Sequence, residues 1–83
     1  MMEGIKKMDI RIAVANRIKE LCEEKGVSLY RLTKLSGVPH STLMSILNGT
    51  SKNPGIITIY KICCALDITL SEFYNTHLFN DYN

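Results

Sequence analysis

Apolar side chains recur every three or four residues along most of the chain, the spacing that places them on one face of an α-helix. The first such stripe is preceded by Asp9, a residue type that caps helix N-termini, and followed by Gly26, a natural helix end. No segment shows the alternation of apolar and polar residues that is typical of a strand. The pattern therefore predicts an all-α chain whose first helix covers roughly residues 9–24. Its apolar stripe consists of Ile10, Val14, Ile18, Leu21 and Cys22.

Two short helices are predicted next. Ser28 is placed to cap the second helix, which runs to about Ser36 and ends at Gly37. Pro39 presets the backbone for the first turn of a third helix, and Asn48 with Gly49 closes it. The residues expected to face inward are Leu29, Leu32 and Leu35 on the second helix and Leu43, Ile46 and Leu47 on the third.

The segment "TSKNPG" is loop by composition, and a fourth helix and a short fifth helix follow it. "TLSE", from Thr69 to Glu72, is a capping box that starts the fifth helix. The inward stripe predicted for the fourth helix is Ile56, Ile59, Ile62, Cys63 and Leu66.

Helices two and three are too short to share a heptad seam, so we predict a compact five-helix orthogonal bundle rather than parallel long helices. The helix-turn-helix arrangement consists of a short helix, a turn that contains glycine, here Gly37, and a second helix at a steep angle to the first. We expect a flexible N-terminal arm over residues 1–8, a domain over 9–75 with the motif at about 28–48, and a C-terminal tail over 76–83.

Charge is unevenly distributed along the 83 residues, although the net charge is only +2. Between Lys25 and Leu66 the chain carries five cations and no carboxylate. A surface of one sign attracts phosphate at long range. The alternative is that these cations only keep a small domain soluble. They are Lys25, Arg31, Lys34, Lys52 and Lys61.

The three cysteines form no CxxC spacing, so we expect buried, reduced thiols and no metal site. No apolar run is long enough for a membrane span or a signal peptide, which predicts a cytoplasmic protein without a membrane partner. The chain also lacks a Ser/His/Asp constellation, a metal-ligand spacing and a glycine loop that would cradle phosphate. We therefore expect no enzyme activity and no cofactor.

The segment from Ile18 to Tyr74 resembles the Cro/C1-type (XRE-family) helix-turn-helix domain of bacterial and phage repressors. The resemblance is carried by "EEKGVS", "LSGVP", "STLMSILNG", the "NP" loop and "IYKICCALDITLSEFY". The chain departs from the family's common residues at Cys22, Leu29 and Thr33, where Arg, Gln and Ala are frequent. The resemblance implies a lambda-repressor-like DNA-binding domain that binds double-stranded DNA sequence-specifically as a homodimer on a pseudo-palindromic operator.

In such a domain the third helix lies in the major groove with its N-terminal residues on base edges. This helix contains no Lys, Arg, Gln, Asp or Glu, so the bidentate contact of arginine with guanine is not available to it. His40 could instead be a solvated side chain and Ser41 a helix cap, whereas an exposed Met44 would favour contact with DNA or protein. The base-contact candidates are His40, Ser41, Thr42, Met44 and Ser45.

The expected phosphate contacts surround the start of the second helix and the loop after the third, with Arg17 on the first helix as a weaker candidate. Dimerisation usually falls to the C-terminal part of such domains. The phosphate-contact candidates are Arg17, Ser28, Tyr30, Arg31, Lys34, Asn48, Thr50, Lys52 and Asn53. The dimerisation candidates form an apolar cluster expected to be exposed: Leu70, Phe73, Tyr74, Leu78 and Phe79.

Two functions remain open from the sequence. The first is a small dimeric repressor of phage or mobile-element type in a prokaryotic cell, with no small-molecule effector evident. The second is an antitoxin or protein-protein adaptor that uses the same fold, with Met44 and the tail as protein contacts.

Overall fold

The computed structural model describes residues 9–50 and 54–79, and these residues form five α-helices and a 3₁₀ turn. The predicted all-α class is confirmed, and the described residues contain no strand. The helices are α1 (Ile10–Lys25), α2 (Leu29–Ser36), α3 (His40–Leu47), α4 (Ile56–Ala65) and α5 (Leu70–Tyr74), and the 3₁₀ turn is His77–Phe79. None of the described helices is long and apolar enough to cross a membrane.

The starts of α1, α2 and α5 are set by local side-chain caps at the predicted positions. The Asp9 carboxylate accepts a hydrogen bond from the Arg11 amide at 3.0 Å, and Ser28 Oγ accepts from the Arg31 amide at 3.1 Å. Thr69 and Glu72 form the predicted capping box, in which each side chain accepts from the other residue's amide. The hydrogen bond from the Thr69 amide lowers the pKa of the Glu72 carboxyl below its ordinary value of 4.5. The ionised cap therefore stabilises the fold at pH values above 4.5, and this contribution is lost as the pH falls through the lowered pKa.

The α3 start differs from the prediction by one residue. Pro39 has a helical φ of −57° but an extended ψ of 145°, so it flanks the helix and the first helical residue is His40. The predicted end is confirmed in position, because Asn48 is the C-cap and Gly49 has a φ of 73°.

The residue after the α4 C-cap is the one non-glycine residue with positive φ in the described chain, Asp67 at 59°. The left-handed conformation costs an L-residue roughly 1–2 kcal/mol, although Asp tolerates it better than most. We therefore expect Asp67→Gly to raise the free energy of unfolding by about 0.5–1 kcal/mol in urea titrations. Asp67→Ala removes the same carboxylate but keeps the unfavourable φ. A glycine variant no more stable than the alanine variant would contradict this account.

A single hydrophobic core joins all five α-helices. Its largest fully buried side chains include Ile18 of α1, Leu32 of α2, Leu43 of α3, Ile62 of α4 and Phe73 of α5. Three residues predicted to face inward are exposed instead: Ile10, Leu35 and Ile56. Each lies in a terminal turn of its helix, where the neighbouring elements no longer cover the face.

The cysteines follow the prediction in two of three cases. Cys22 and Cys63 are buried free thiols, and burial raises the pKa of both, that of Cys63 to about 11. Their thiolate forms are therefore scarce at neutral pH. Cys64 is exposed, because it follows Cys63 by one residue and lies about 100° further around α4.

Arg17 ties α1 to the end of α5. Its guanidinium donates to the carbonyl of Phe73 at 2.6 Å and to that of Glu72 at 2.7 Å, and also bonds the Glu20 carboxylate at 2.8 Å. Only 12% of the Arg17 side chain is exposed. The expectation of a phosphate contact for Arg17 is therefore replaced by a structural role.

The C-terminal apolar cluster is less exposed than the sequence predicts. Phe73 has no exposed surface, and Phe79 packs against the core with its ring 6.2 Å from that of Phe73. Leu70 is half-buried against the same core, and Tyr74 packs edge-on against Phe79. Leu78, in the 3₁₀ turn, is half-buried. Phe73 is thus a core residue, and a side chain with no exposed surface cannot present a dimer surface.

Candidate nucleic-acid interface

The turn between α2 and α3 is held by short local contacts. Gly37 adopts a left-handed φ of 74°, and its amide donates to the Thr33 carbonyl. The Val38 side chain is buried in the core, and its amide donates to Ser36 Oγ at 3.1 Å. These contacts hold the start of α3 in place against the rest of the domain.

The two sides of α3 differ in burial. Leu43, Ile46 and Leu47 are buried, and α3 packs mainly against α1. His40, Ser41 and Thr42 form its exposed first turn. The structure thus places three of the five base-contact candidates together at the N-terminal end of one helix.

Met44 and Ser45 are only half-exposed, and Met44 packs against the hydrophobic core. The expectation of an exposed Met44 is wrong. On the α-helix, position 44 lies about 60° from Leu47 and about 100° from Leu43, so it borders the buried side. Ser45 accepts hydrogen bonds at its carbonyl from the amide and the hydroxyl of Thr50, at 3.0 and 3.2 Å.

The outer side of α2 carries exposed polar groups. Tyr30, Arg31 and Lys34 are all exposed, and the Lys34 ammonium lies 5.3 Å from the centre of the Tyr30 ring. Ser28, the exposed N-cap, accepts through its oxygen from Arg31, which leaves its hydroxyl hydrogen able to donate to an anion. The α2 start therefore combines a hydroxyl donor, first-turn amides and the Arg31 cation, and Lys34 adds a second cation in the last turn.

The Thr33 side chain stands where Ala is frequent in the domains that this chain resembles, and it is accommodated locally. Its hydroxyl donates to the Tyr30 carbonyl within α2 at 2.6 Å. The polar group is therefore satisfied at the approach of α2 and α3.

Asn48 is exposed at the end of α3, while the Thr50 hydroxyl donates inward to the Ser45 carbonyl. Thr50 therefore helps close the helix, and its hydroxyl hydrogen is not free for a phosphate. Lys52 and Asn53 lie outside the described residues.

The exposed cations of α2 and α3 are Arg31 and Lys34, both on α2, and neither helix carries a carboxylate. The ion pairs among the described residues, Arg11–Asp9 and Arg17–Glu20, both involve α1. Arg31 and Lys34 take part in neither, and the sequence from Lys25 to Leu66 has no carboxylate. Their charges are available to an external anion.

Sequence reasoning missed the role of Arg17 because its partners are 55 and 56 residues away in the chain. No local pattern connects these positions. The one sequence feature that indicated a structural role for Arg17 was its position on α1 beside the apolar stripe, next to Ile18, which is buried.

Comparison with known proteins gives consistent matches. A family model described as a Cro/C1-type HTH DNA-binding domain matches residues 17–77. The HTH-type transcriptional regulator SinR of Bacillus licheniformis is 36% identical over 62 residues, which are 75% of this chain and 56% of SinR. The regulator PuuR of Escherichia coli (strain K12) is 31% identical over 67 residues, 81% of this chain and 36% of PuuR.

Two solved structures share the fold. The crystal structure of the prophage Lp1 protein 11 superimposes with a TM-score of 0.74 at 31% identity, covering 82% of this chain and 90% of that one. An HTH_3 family transcriptional regulator from Vibrio cholerae gives a TM-score of 0.72 at 34% identity, covering 86% of this chain and 37% of that one. The chain thus spans about half of SinR and about a third of PuuR and of the Vibrio protein.

Proposed function

Because the chain belongs to the Cro/C1-type helix-turn-helix DNA-binding family, we propose that it is a sequence-specific, double-stranded-DNA-binding transcriptional regulator in the cytoplasm. Its most specific form is a small dimeric repressor of phage or mobile-element type. The observation that carries the proposal is the exposed polar first turn of α3, which is held by the buried Val38 turn beside the cationic side of α2. The likeness to a prophage protein supports the phage type.

In this proposal the first turn of α3 enters the major groove. His40 donates to a guanine acceptor, Ser41 donates or accepts at a base edge, and the Thr42 methyl contacts thymine. Ser45 and Met44, being half-buried, contribute only at the margin of the contact. Short side chains give modest discrimination, so sequence-dependent DNA shape supplements them and favours A·T-rich sites.

Affinity comes mainly from phosphate contacts around α2 and the end of α3. Arg31 and Lys34 supply the charges, while Tyr30, Ser28 and Asn48 supply neutral donors. Lys52 and Asn53 remain proposed contacts on sequence grounds.

A monomer with one short recognition helix is a poor specific binder, so two copies are proposed to bind a pseudo-palindrome. Their half-sites lie about one helical turn, roughly 34 Å, apart. Occupation of a promoter by this complex blocks transcription.

The alternative function, an antitoxin or adaptor, would use an exposed Met44 and the tail as protein contacts. Met44 packs against the core, so this observation no longer favours a protein partner at α3.

The salt dependence of binding tests whether phosphate contacts dominate. If each copy neutralises about three phosphates, the log–log slope of affinity against salt concentration is expected near −5 for the dimer, at about −0.9 per phosphate. Fluorescence anisotropy with labelled duplex between about 50 and 200 mM salt measures it. A slope between 0 and about −2 would be incompatible with the proposed contact set.

A further inference from the structure

The outward side of α4 is apolar although it is exposed. Ile56, Ile57 and Tyr60 have 58%, 64% and 54% of their surfaces exposed, and Cys64 is exposed one turn further along. The opposite side, with Ile59, Ile62 and Cys63, is buried in the core. A helix that is apolar all round is typical of one buried on both sides. We call Ile56, Ile57, Tyr60, Lys61 and Cys64 the α4 outer face.

Folding of the chain alone does not account for this face. The buried side already supplies the α4 contribution to the core, and exposed apolar residues at adjoining positions mark interaction surfaces rather than solvated ones. Ile57, Tyr60, Lys61 and Cys64 follow the i, i+3, i+4, i+7 spacing of a helix-packing seam. The unpartnered side of α4 therefore has the pattern of a helix that packs against another helix.

We propose that a second copy of this chain docks on the α4 outer face, with the two α4 helices antiparallel across a two-fold axis near Tyr60 and Lys61. The inference rests on the proposed function, which requires two copies on one duplex. It differs from the C-terminal dimer surface expected from the sequence, where Phe73 is buried and Phe79 is packed on the core.

The chemistry of the face favours a second copy over a charged partner. Its one ionic group is Lys61, so a strongly charged protein would find at most one charge to pair with on this face. A two-fold contact is self-complementary. Centred between positions 60 and 61, it brings Ile57 against Cys64 of the second copy and Lys61 over the second copy's Tyr60. The Lys34 ammonium beside Tyr30 forms the same type of cation–π pair within the chain.

The size of the face indicates a weak dimer. α4 has 10 residues and is therefore about 15 Å long. One face of so short a helix is smaller than the area of about 800 Å² that each partner buries in a standard interface. We expect a dissociation constant on the order of 10–100 µM in free solution, with DNA bringing the two copies together at lower concentration.

Sedimentation equilibrium on wild type, Ile57→Glu and Ile12→Glu tests the face. Ile12 is a comparably exposed isoleucine on α1, so its variant is a control for the same chemical change. Wild type and Ile12→Glu are expected to dimerise with the same constant, and Ile57→Glu at least tenfold more weakly. Equal dimerisation by all three proteins, or a wild type that stays monomeric with and without DNA, would overturn the inference.

Cross-linking tests the antiparallel geometry while keeping Ile56, Ile57 and Tyr60. In a Cys64→Ser background the remaining native thiols are buried, and Lys61→Cys then places one exposed thiol beside the axis. A short bis-maleimide is expected to give covalent dimers of this variant and not of Lys19→Cys, an exposed lysine on α1. Equal cross-linking of the two variants would contradict the arrangement.

The same samples separate this inference from the proposed function. Ile57→Glu is expected to keep its preference for one half-site sequence while it loses cooperative binding to two. If the wild type prefers a DNA sequence but Ile57→Glu binds two half-sites as wild type does, the α4 interface is wrong and the DNA function stands. If Ile57→Glu loses the dimer but wild type shows no sequence preference, the proposed function is wrong and the interface stands.

Discussion

Replacing both Arg31 and Lys34 with alanine is expected to weaken DNA binding on the order of a thousandfold at 0.1 M salt. The two side chains are exposed on the outer side of α2 and take part in no ion pair among the described residues. In a dimer the double variant removes about four of about six phosphate contacts, so the salt slope should fall from near −5 to about −2. Anisotropy titrations over a range of salt concentrations measure both changes.

The matched control removes two positive charges from elsewhere. Arg11→Ala with Lys19→Ala changes the net charge by the same amount, but both residues lie on α1, and Arg11 is paired with Asp9. We expect this control to keep the wild-type slope. If both double variants lose affinity equally, net charge rather than a localised contact governs binding.

Replacing Arg17 with methionine is expected to lower the free energy of unfolding by about 3 kcal/mol. The largely buried guanidinium donates to the carbonyls of Glu72 and Phe73 at the end of α5, and the Glu72 carbonyl also accepts from the Asn75 amide at 3.3 Å. Methionine keeps a long apolar stem but removes the guanidinium donors from both carbonyls. Urea unfolding followed by circular dichroism measures the loss, and Arg17→Lys should be intermediate because an ammonium cannot reproduce the planar fork.

Arg11→Met is the control for this variant. Arg11 makes a bidentate pair with Asp9 at the exposed start of α1, where solvent screens the interaction. Its unfolding midpoint is expected to match wild type. An Arg17→Met midpoint that also matches wild type would show that the α1–α5 contact does not stabilise the domain.

Helix positions could be predicted because their determinants are local. Asp9, Ser28 and Thr69 bond amides two or three residues away, so the residue types at those spacings were sufficient to place the starts of three helices. Gly26 and Gly37 ended their helices for the same reason, since each supplies a left-handed residue.

Contacts between distant segments could not be predicted in the same way. The bonds of Arg17 to α5 and the complete burial of Phe73 depend on how α5 and the 3₁₀ turn fold back against α1. The exposure of Met44 was predicted wrongly because Met44 borders the buried side of α3. At such a border position both polar and apolar residues are compatible with the helical period.

α4 shows a further limit of periodicity. Its residues are apolar on both sides, so the pattern identified a helix and its core stripe but gave no indication that Ile57 and Tyr60 form a second apolar face. The buried side of α4 is distinguished from its exposed side only by the packing of α2 and α5 against it.

Selection of bound sequences from random duplex DNA tests the central claim most directly. With wild-type protein we expect enrichment of a pseudo-palindrome whose half-sites lie about one helical turn apart. His40→Ala should relax the preference at one position in each half-site, because the exposed first turn of α3 supplies the base contacts. Recovery of sequences no different from the input pool, at salt concentrations where the protein binds DNA, would contradict sequence-specific recognition by α3.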